Sequence, residues 1–272
     1  MSKVKRVKIG IVGCGAIGGG VAAYIDKNLK SSAVVYALAD KDILAAKRLQ
    51  KKLQSAPKIY DTITLVKKVD LVIETASASA AGFLLKKVII YRKDLIILSV
   101  GALIDKASLL KEAARAKINI YVSSGAISGV DGLGALSMGK IKKVSLTTSK
   151  PPLGLIGADY LKKKRIDLTG LKKEKVVFRG GVKEAIRHFP QNINVAAVIS
   201  LASAFKRVEV CIKADPRLKR NVHHIAVDSE EAKLNIKVEN IPSKSNPKTS
   251  ALAILSTQQL LKKIFSSLKI GS

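Results

Sequence analysis

A chain of 272 residues that is 47% hydrophobic has enough apolar material for one large core or two moderate ones, and its length favours two domains. Its 49 Lys and Arg against 20 Asp and Glu leave a formal net charge of +29, which concentrates small or large anions near the surface. Aromatics make up only 4% with no Trp, so the stacking platforms of a nucleic-acid module are missing, nucleic acid is not an expected partner, and most of the lysines read as a solvated surface.

The start, MSKVKRVKIGIVGCGAIGGG, sets basic residues before an apolar run. Glycines interrupt that run and no small-residue cleavage pattern follows, so it reads as a first strand rather than a secretory signal. Lys5 to Val12 is β-rich, GCGAIG is a turn, and Ile17 to Leu29 has helical periodicity. Ala33 to Ala39 is a second apolar run ending at Asp40, which completes a βαβ unit. The alternation continues with a helix at Leu44 to Leu53, a strand at Asp70 to Ile73, a helix at Ala80 to Val88 and a strand at Leu95 to Val100. A helix at Lys106 to Lys117 and a strand at Asn119 to Val122 extend the series. Such alternation predicts an α/β fold with a doubly wound parallel sheet, a Rossmann domain over residues 1–124.

The glycine- and serine-rich SSGAISGVDGLG marks a boundary. Beyond it the runs Lys143 to Thr148, Lys175 to Arg179, Arg207 to Ala214, Val222 to Asp228 and Lys233 to Glu239 alternate or are β-branched. They predict an α+β domain over residues 125–248 with a mostly antiparallel sheet, and helices at Val182 to Arg187 and Asn192 to Phe205. Lys162 to Lys175 reads as a solvated loop or helix face. Ser250 to Leu268 predicts a final helix, so that residues 249–272 can pack back on the first domain. The uncharged stretch Phe189 to Phe205 holds Pro190, Gln191, Asn192 and Asn194 and is too polar and short for a membrane span. Cys14 and Cys211 lie far apart without C-x-x-C spacing, so neither a disulfide framework nor a metal site is expected, and a reducing cytoplasm fits.

Gly13-Cys14-Gly15-Ala16-Ile17-Gly18 matches G-x-G-x-x-G between a predicted strand and a predicted helix, the context that gives this pattern meaning. Gly13 permits the tight turn, Gly15 lets a pyrophosphate approach the backbone, and Gly18 allows close helix packing. The phosphates then meet the N–H groups and positive dipole end of the helix. Asp40, about 20 residues beyond Gly18, is placed to accept both ribose hydroxyls and to repel a 2′-phosphate. NAD is the expected cofactor, with NADP allowed by the neighbouring Lys41. The nicotinamide is expected at the carboxyl ends of the strands, near Thr75 to Ser77, with Ser77 a contact, and near Ser123 to Ser128.

Three histidines, His188, His223 and His224, are candidates for acid–base chemistry because imidazole titrates near neutrality. In the strand Val222 to Asp228, His223 and His224 must point to opposite faces, so only one of that pair can serve a site. His188 sits at a helix end, where a cation favourable to the dipole is the simpler role.

Six segments together carry a resemblance. GCGAIG, SGAISGVDGL at 124–133, TTSKPP at 147–152, FPQNINVAA at 189–197, NVHHI at 221–225 and NPKTSALA at 246–253 resemble the L-aspartate dehydrogenases over nearly the whole chain. The resemblance implies oxidative deamination of L-aspartate with NAD(P), through iminoaspartate, to oxaloacetate and ammonia, and a role in supplying iminoaspartate for NAD biosynthesis. It also implies a homodimer. By position, the catalytic histidine falls on His223, and cofactor contacts fall on Ala126 and Asn192. His224 departs from the more usual acidic residue. Thr148, Lys150 and Gln191 fall where the two substrate carboxylates need donors or cations. The competing expectations are another two-domain reductase of the dihydrodipicolinate or homoserine dehydrogenase type, or a non-catalytic basic nucleotide-binding protein.

Overall fold

The computed structural model describes residues 5–189, 194–244 and 246–271. The chain folds as two compact units, one of residues up to Ser123 together with Ala253–Ile270, the other of Ser124–Leu252.

The first unit holds a six-stranded parallel sheet. In chain order its elements are β1 (Val7–Val12), α1 (Ala16–Asn28), β2 (Ala33–Ala39), α2 (Ile43–Gln50), β3 (Lys58–Ile59) and α3 (Thr62–Lys68). They continue with β4 (Leu71–Glu74), α4 (Ala78–Tyr91), β5 (Asp94–Ile97), a 3-10 turn (Val100–Leu103), α5 (Ala107–Arg115) and β6 (Ile120–Val122). The strand order is β3-β2-β1-β4-β5-β6, with every pairing parallel. The order reverses between β1 and β4, which opens a crevice at the carboxyl ends of those strands.

Strands buried on both faces must be apolar, and VKIGIV, AVVYALA and LVIE meet that demand apart from Lys8, at the partly exposed start of β1, and the fully buried Glu74. The predicted strand through Val100 stops at Ile97, because the Leu98 and Ser99 amides turn aside to the Glu74 carboxylate and a 3-10 turn follows. Helix α3, absent from the predicted elements, is started by Asp61, whose carboxylate accepts the Ile63 and Thr64 amides. It buries only Leu65 and Val66, a stripe too short to show as a periodicity.

The second unit begins with α6 (Val130–Leu136), β7 (Ile141–Lys150), α7 (Asp159–Lys163), β8 (Lys175–Gly181), α8 (Val182–His188) and α9 (Asn194–Ser203). Then come β9 (Glu209–Ala214), β10 (Val222–Ser229), β11 (Lys233–Glu239) and the small pair β12 (Pro242–Ser243) and β13 (Asn246–Ser250). Its five-stranded sheet has the order β11-β10-β7-β9-β8 and is antiparallel except for the parallel pair β7–β9. Helix α6 lies inside the glycine-rich segment that the sequence marks only as a boundary. Its glycines weaken helix propensity, and burial of Leu133 and Leu136 compensates. The β10–β11 hairpin closes without glycine because the Ser229 hydroxyl accepts the Glu231 and Ala232 amides and donates to the Ala232 carbonyl.

The last helix, α10 (Ala251–Phe265), returns to the first unit. Leu261 is fully buried in the core formed by β1, β2, α1 and α2, and Leu260, Ile264 and Phe265 pack beside it. Truncating such a leucine costs about 2–5 kcal/mol, so α10 is an integral layer of this unit. Among the described residues no helix is long and apolar enough to cross a membrane.

Candidate active site

A cavity of about 730 Å³ opens at the switch point of the parallel sheet. Its walls include Gly13, Gly15, Asp40 and Ser77, with Tyr60 and Phe83 further round. Ala16, Ile17 and Gly18 form the first turn of α1 beside it.

The glycine pattern has a concrete steric cause. Gly13 has φ +98°, and a Cβ there would come within 2.6 Å of the Thr75 carbonyl oxygen. A Cβ on Gly18 would collide with the Gly13 carbonyl and lie 2.7 Å from Thr75 Oγ1. Above Gly15, by contrast, a Cβ would meet nothing within 4 Å. Two glycines are thus needed by the fold, and the third leaves open backbone where a pyrophosphate can approach.

The cap at α1 points the same way. Helices α2, α3 and α4 are each started by a side chain, Asp42, Asp61 and Ser77. Helix α1 starts at Gly15 with no side-chain cap and no acidic residue in its first turn. Its positive end is kept open at the cavity, which suits an anion. These residues fit a dinucleotide, whose pyrophosphate the α1 amides would hold and whose ribose Asp40 would meet.

Asp40 is tied into the turn. One carboxylate oxygen accepts the Cys14 amide at 2.6 Å and the other accepts the Asp42 amide at 2.8 Å. Burial, reinforced by the Asp40 charge, pushes the Cys14 thiol up to about 12, so it stays a neutral packing group.

Sequence reasoning missed one buried support of this cavity and the bracing role of a second residue, Thr75. Glu74 is fully buried and accepts the Ala76, Leu98 and Ser99 amides and the Ser99 hydroxyl, at 2.8–3.2 Å. It stitches the ends of β4 and β5 together and holds the Ala76–Ser77 wall. Thr75 donates its hydroxyl to the Gly13 carbonyl at 2.6 Å, bracing the turn from the opposite strand. The signal available for Glu74 was a carboxylate closing an otherwise apolar strand.

The second unit presents a different constellation. Alternation along β7 puts Val144, Leu146, Thr148 and Lys150 on its buried face. His223 of β10 stands directly opposite Thr148, whereas His224 pairs with Thr147 on the exposed face. His223 Nδ1 lies 2.9 Å from Thr148 Oγ1. His223, Thr148 and Lys150 are only 4%, 3% and 7% exposed. Burial and the Lys150 charge depress His223 to about 4, and burial brings Lys150 down to about 8. At neutral pH the pair is therefore a neutral imidazole beside an ammonium.

The other predicted positions fall elsewhere. Ala126 is half-buried, and its carbonyl accepts from Asn240 Nδ2 at 3.0 Å. Asn240, itself buried and bonded to Ser250, is a support for that loop that the sequence reading missed. His188, at the end of α8, packs against Tyr160 in a tilted arrangement with ring centroids 4.6 Å apart, so it belongs to an aromatic cluster with Phe178 and Phe189. Gln191 and Asn192 lie outside the described residues.

A Rossmann sheet with an open glycine cradle, in a chain whose second unit buries a neutral histidine beside a lysine, defines a nicotinamide-dependent oxidoreductase. Comparison with known proteins narrows the class. Residues 13–123 match the family model "Homoserine dehydrogenase, NAD binding domain", and residues 131–264 match "Aspartate dehydrogenase, C-terminal". The L-aspartate dehydrogenase of Methanosarcina acetivorans is 45% identical over 98% of this chain and 100% of its own. That of Methanocaldococcus jannaschii is 40% identical with the same coverage. The aspartate dehydrogenase structure from Thermotoga maritima superposes with a TM-score of 0.75 and 26% identity, covering 98% of this chain and all of its own. A Lactobacillus casei myo-inositol dehydrogenase shares the fold at a TM-score of 0.61 and 13% identity. The chain belongs to the L-aspartate dehydrogenase family. The first of the competing expectations is met only in the N-terminal module, whose model is named for homoserine dehydrogenase; the C-terminal match is to the aspartate enzyme.

Proposed function

We propose that this chain catalyses the NAD(P)-dependent oxidative deamination of L-aspartate, through iminoaspartate, to oxaloacetate and ammonia. The observation that carries the reading is the buried His223–Thr148–Lys150 face, which joins a neutral base to a cation suited to a dicarboxylate. When bound, the nicotinamide supplies the two-electron acceptor that takes hydride from the substrate Cα. His223, uncharged at neutral pH, takes a proton from the substrate ammonium so that the nitrogen lone pair can drive hydride departure. That proton passes to solvent, and the neutral imidazole next removes a proton from the water that adds to the imine carbon and returns it to the nitrogen. The nitrogen leaves as ammonia and picks up the carbinol proton to give ammonium. The balance is L-aspartate, NAD⁺ and water giving oxaloacetate, ammonium, NADH and one proton. Lys150 pairs with a substrate carboxylate. Asp40 favours NAD over NADP, and Gly13, Gly15, Ala16, Ile17, Gly18 and Ser77 hold the cofactor. Ala126 and Asn192 as further cofactor contacts, and Gln191 at a carboxylate, rest on the family motifs alone.

The enzyme acts in the cytoplasm as a homodimer, and iminoaspartate that leaves before water adds supplies NAD biosynthesis. Initial rates with a panel of amino and hydroxy acids and each cofactor test the reading. L-aspartate with NAD should exceed every other pair by at least about tenfold in kcat/KM, a difference of about 1.4 kcal/mol in the barrier. A preference for homoserine or a cyclic imine would overturn it.

A further inference from the structure

The hydroxyl of Thr148 meets the one nitrogen of His223 that a substrate does not need. We propose that Thr148 is the positioning residue of His223, accepting the Nδ1 proton and so leaving Nε2 as the basic nitrogen offered to the substrate. This rests on the proposed role of His223 as the base. Motif position alone assigns Thr148 to a substrate carboxylate, and the geometry gives its hydroxyl a different partner.

A neutral imidazole carries one N–H and one lone pair, and whichever nitrogen bonds to a donor or acceptor decides which is which. Thr148 Oγ1 lies 2.9 Å from Nδ1, at a cross-strand position where β10 and β7 are in direct register. Both side chains are almost fully buried, so no solvent competes for that nitrogen. A hydroxyl oxygen can accept from Nδ1–H in the neutral ring and continue accepting after Nε2 has gained a proton. The ring therefore passes through its proton cycle without turning.

The choice of a hydroxyl rather than a carboxylate also matters. A carboxylate on Nδ1 would stabilise the imidazolium and raise its basicity. Thr148 orients the ring without adding charge, while Lys150, two residues along β7 on the same face, opposes protonation. An anionic substrate paired with Lys150 offsets that opposition, so His223 becomes basic when there is a proton to take.

Three variants test this. Thr148→Val removes the acceptor at nearly constant volume and should lower kcat about 10- to 100-fold, the size of leaving one buried hydrogen-bonding group unpaired, with KM for NAD unchanged. Thr148→Ser should recover kcat to within a few-fold of wild type. Thr148→Asp should move the acidic limb of kcat/KM upward by at least one pH unit. Imidazole ¹⁵N shifts, assigned to His223 by comparison with His223→Gln, should show the Nδ1-protonated tautomer in the wild type and the Nε2-protonated one in Thr148→Val. A wild-type ring protonated at Nε2, or a Thr148→Val enzyme with wild-type kcat while His223→Ala collapses, would overturn the positioning role and leave the base in place. A near wild-type His223→Ala would instead remove the base, and the proposal with it.

Discussion

Asp40 accepts the amide of Cys14 at 2.6 Å, so the residue proposed to read the ribose is also a strut of the glycine turn. A substitution there mixes recognition with support, and the two can be separated. Asp40→Asn keeps an acceptor for the Cys14 amide, leaves the exposed Asp42 amide to water because the carboxamide nitrogen cannot accept, and loses the charge that repels a 2′-phosphate. We expect it to shift the NAD/NADP ratio of kcat/KM toward NADP by about tenfold, with little change in Tm. Asp40→Ser should shift the ratio similarly and lower Tm as well. An unchanged ratio in both variants would remove Asp40 from the ribose site.

Glu74 supports the same cavity from below. Glu74→Ala leaves three amides and a hydroxyl, all part-buried, without their acceptor, and each such loss costs about 1 kcal/mol or more where water cannot take its place. Chemical denaturation should show at least about 3 kcal/mol of destabilisation. NAD affinity should fall with it, because Ala76 and Ser77 form the wall. Full NAD affinity in a destabilised Glu74→Ala protein would mean that this wall does not touch cofactor.

Lys150, the proposed partner of a substrate carboxylate, is buried at a cost in stability. Folding lowers its pKa from 10.5 to about 8, so at pH 7 the folded protein carries a cation that it holds less readily than the unfolded chain does. Each decade is worth about 1.4 kcal/mol, which makes the burial unfavourable by roughly 3 kcal/mol below pH 8. That cost disappears as pH rises from 8 through 10.5. Lys150→Met should therefore raise unfolding free energy at pH 7 by about 1–3 kcal/mol and raise KM for aspartate steeply. In the wild type, kcat/KM for aspartate should fall as pH rises through about 8, where the free enzyme loses this cation, and rise with pH near 4, where His223 becomes neutral. Lys150→Arg should extend the plateau to higher pH. A Lys150→Met enzyme with wild-type KM would remove the lysine from the site.

Net charge bears on capture rather than on chemistry. At +29 the surface attracts a dianion over roughly the Debye length, about 8–10 Å at moderate ionic strength. The kcat/KM for amination of oxaloacetate should drop several-fold between low and moderate salt while kcat holds. A flat response would show that the lysines have another purpose.

What could be read from the sequence depended on the range of the signal. The glycine turn is local, with spacing and flanking periodicity on one stretch of chain, and the open backbone at Gly15 answers to it. The separation of His223 from His224 followed from strand alternation, which a period of two enforces. The parallel β7–β9 pair was not legible, because pairing partners far apart in sequence leave no periodic trace. Glu74 and Asn240 were missed for a related reason. Each acts by accepting or donating to backbone amides and carbonyls, and backbone groups carry no residue identity to be recognised. Helices α3 and α6 are short, one set by an Asp61 cap and the other rich in glycine, so tertiary burial rather than propensity decides them.

The base is the centre of the account, and kcat at saturating aspartate for His223→Ala, His224→Ala and His188→Ala, alongside NAD affinity by fluorescence, tests it most directly. The buried position of His223 opposite Thr148, against the exposed His224 and the His188 packed in an aromatic cluster, predicts a loss of about two to four orders of magnitude confined to His223→Ala, with NAD affinity nearly intact. A near wild-type kcat for His223→Ala, or a collapse confined to His224→Ala, would contradict it.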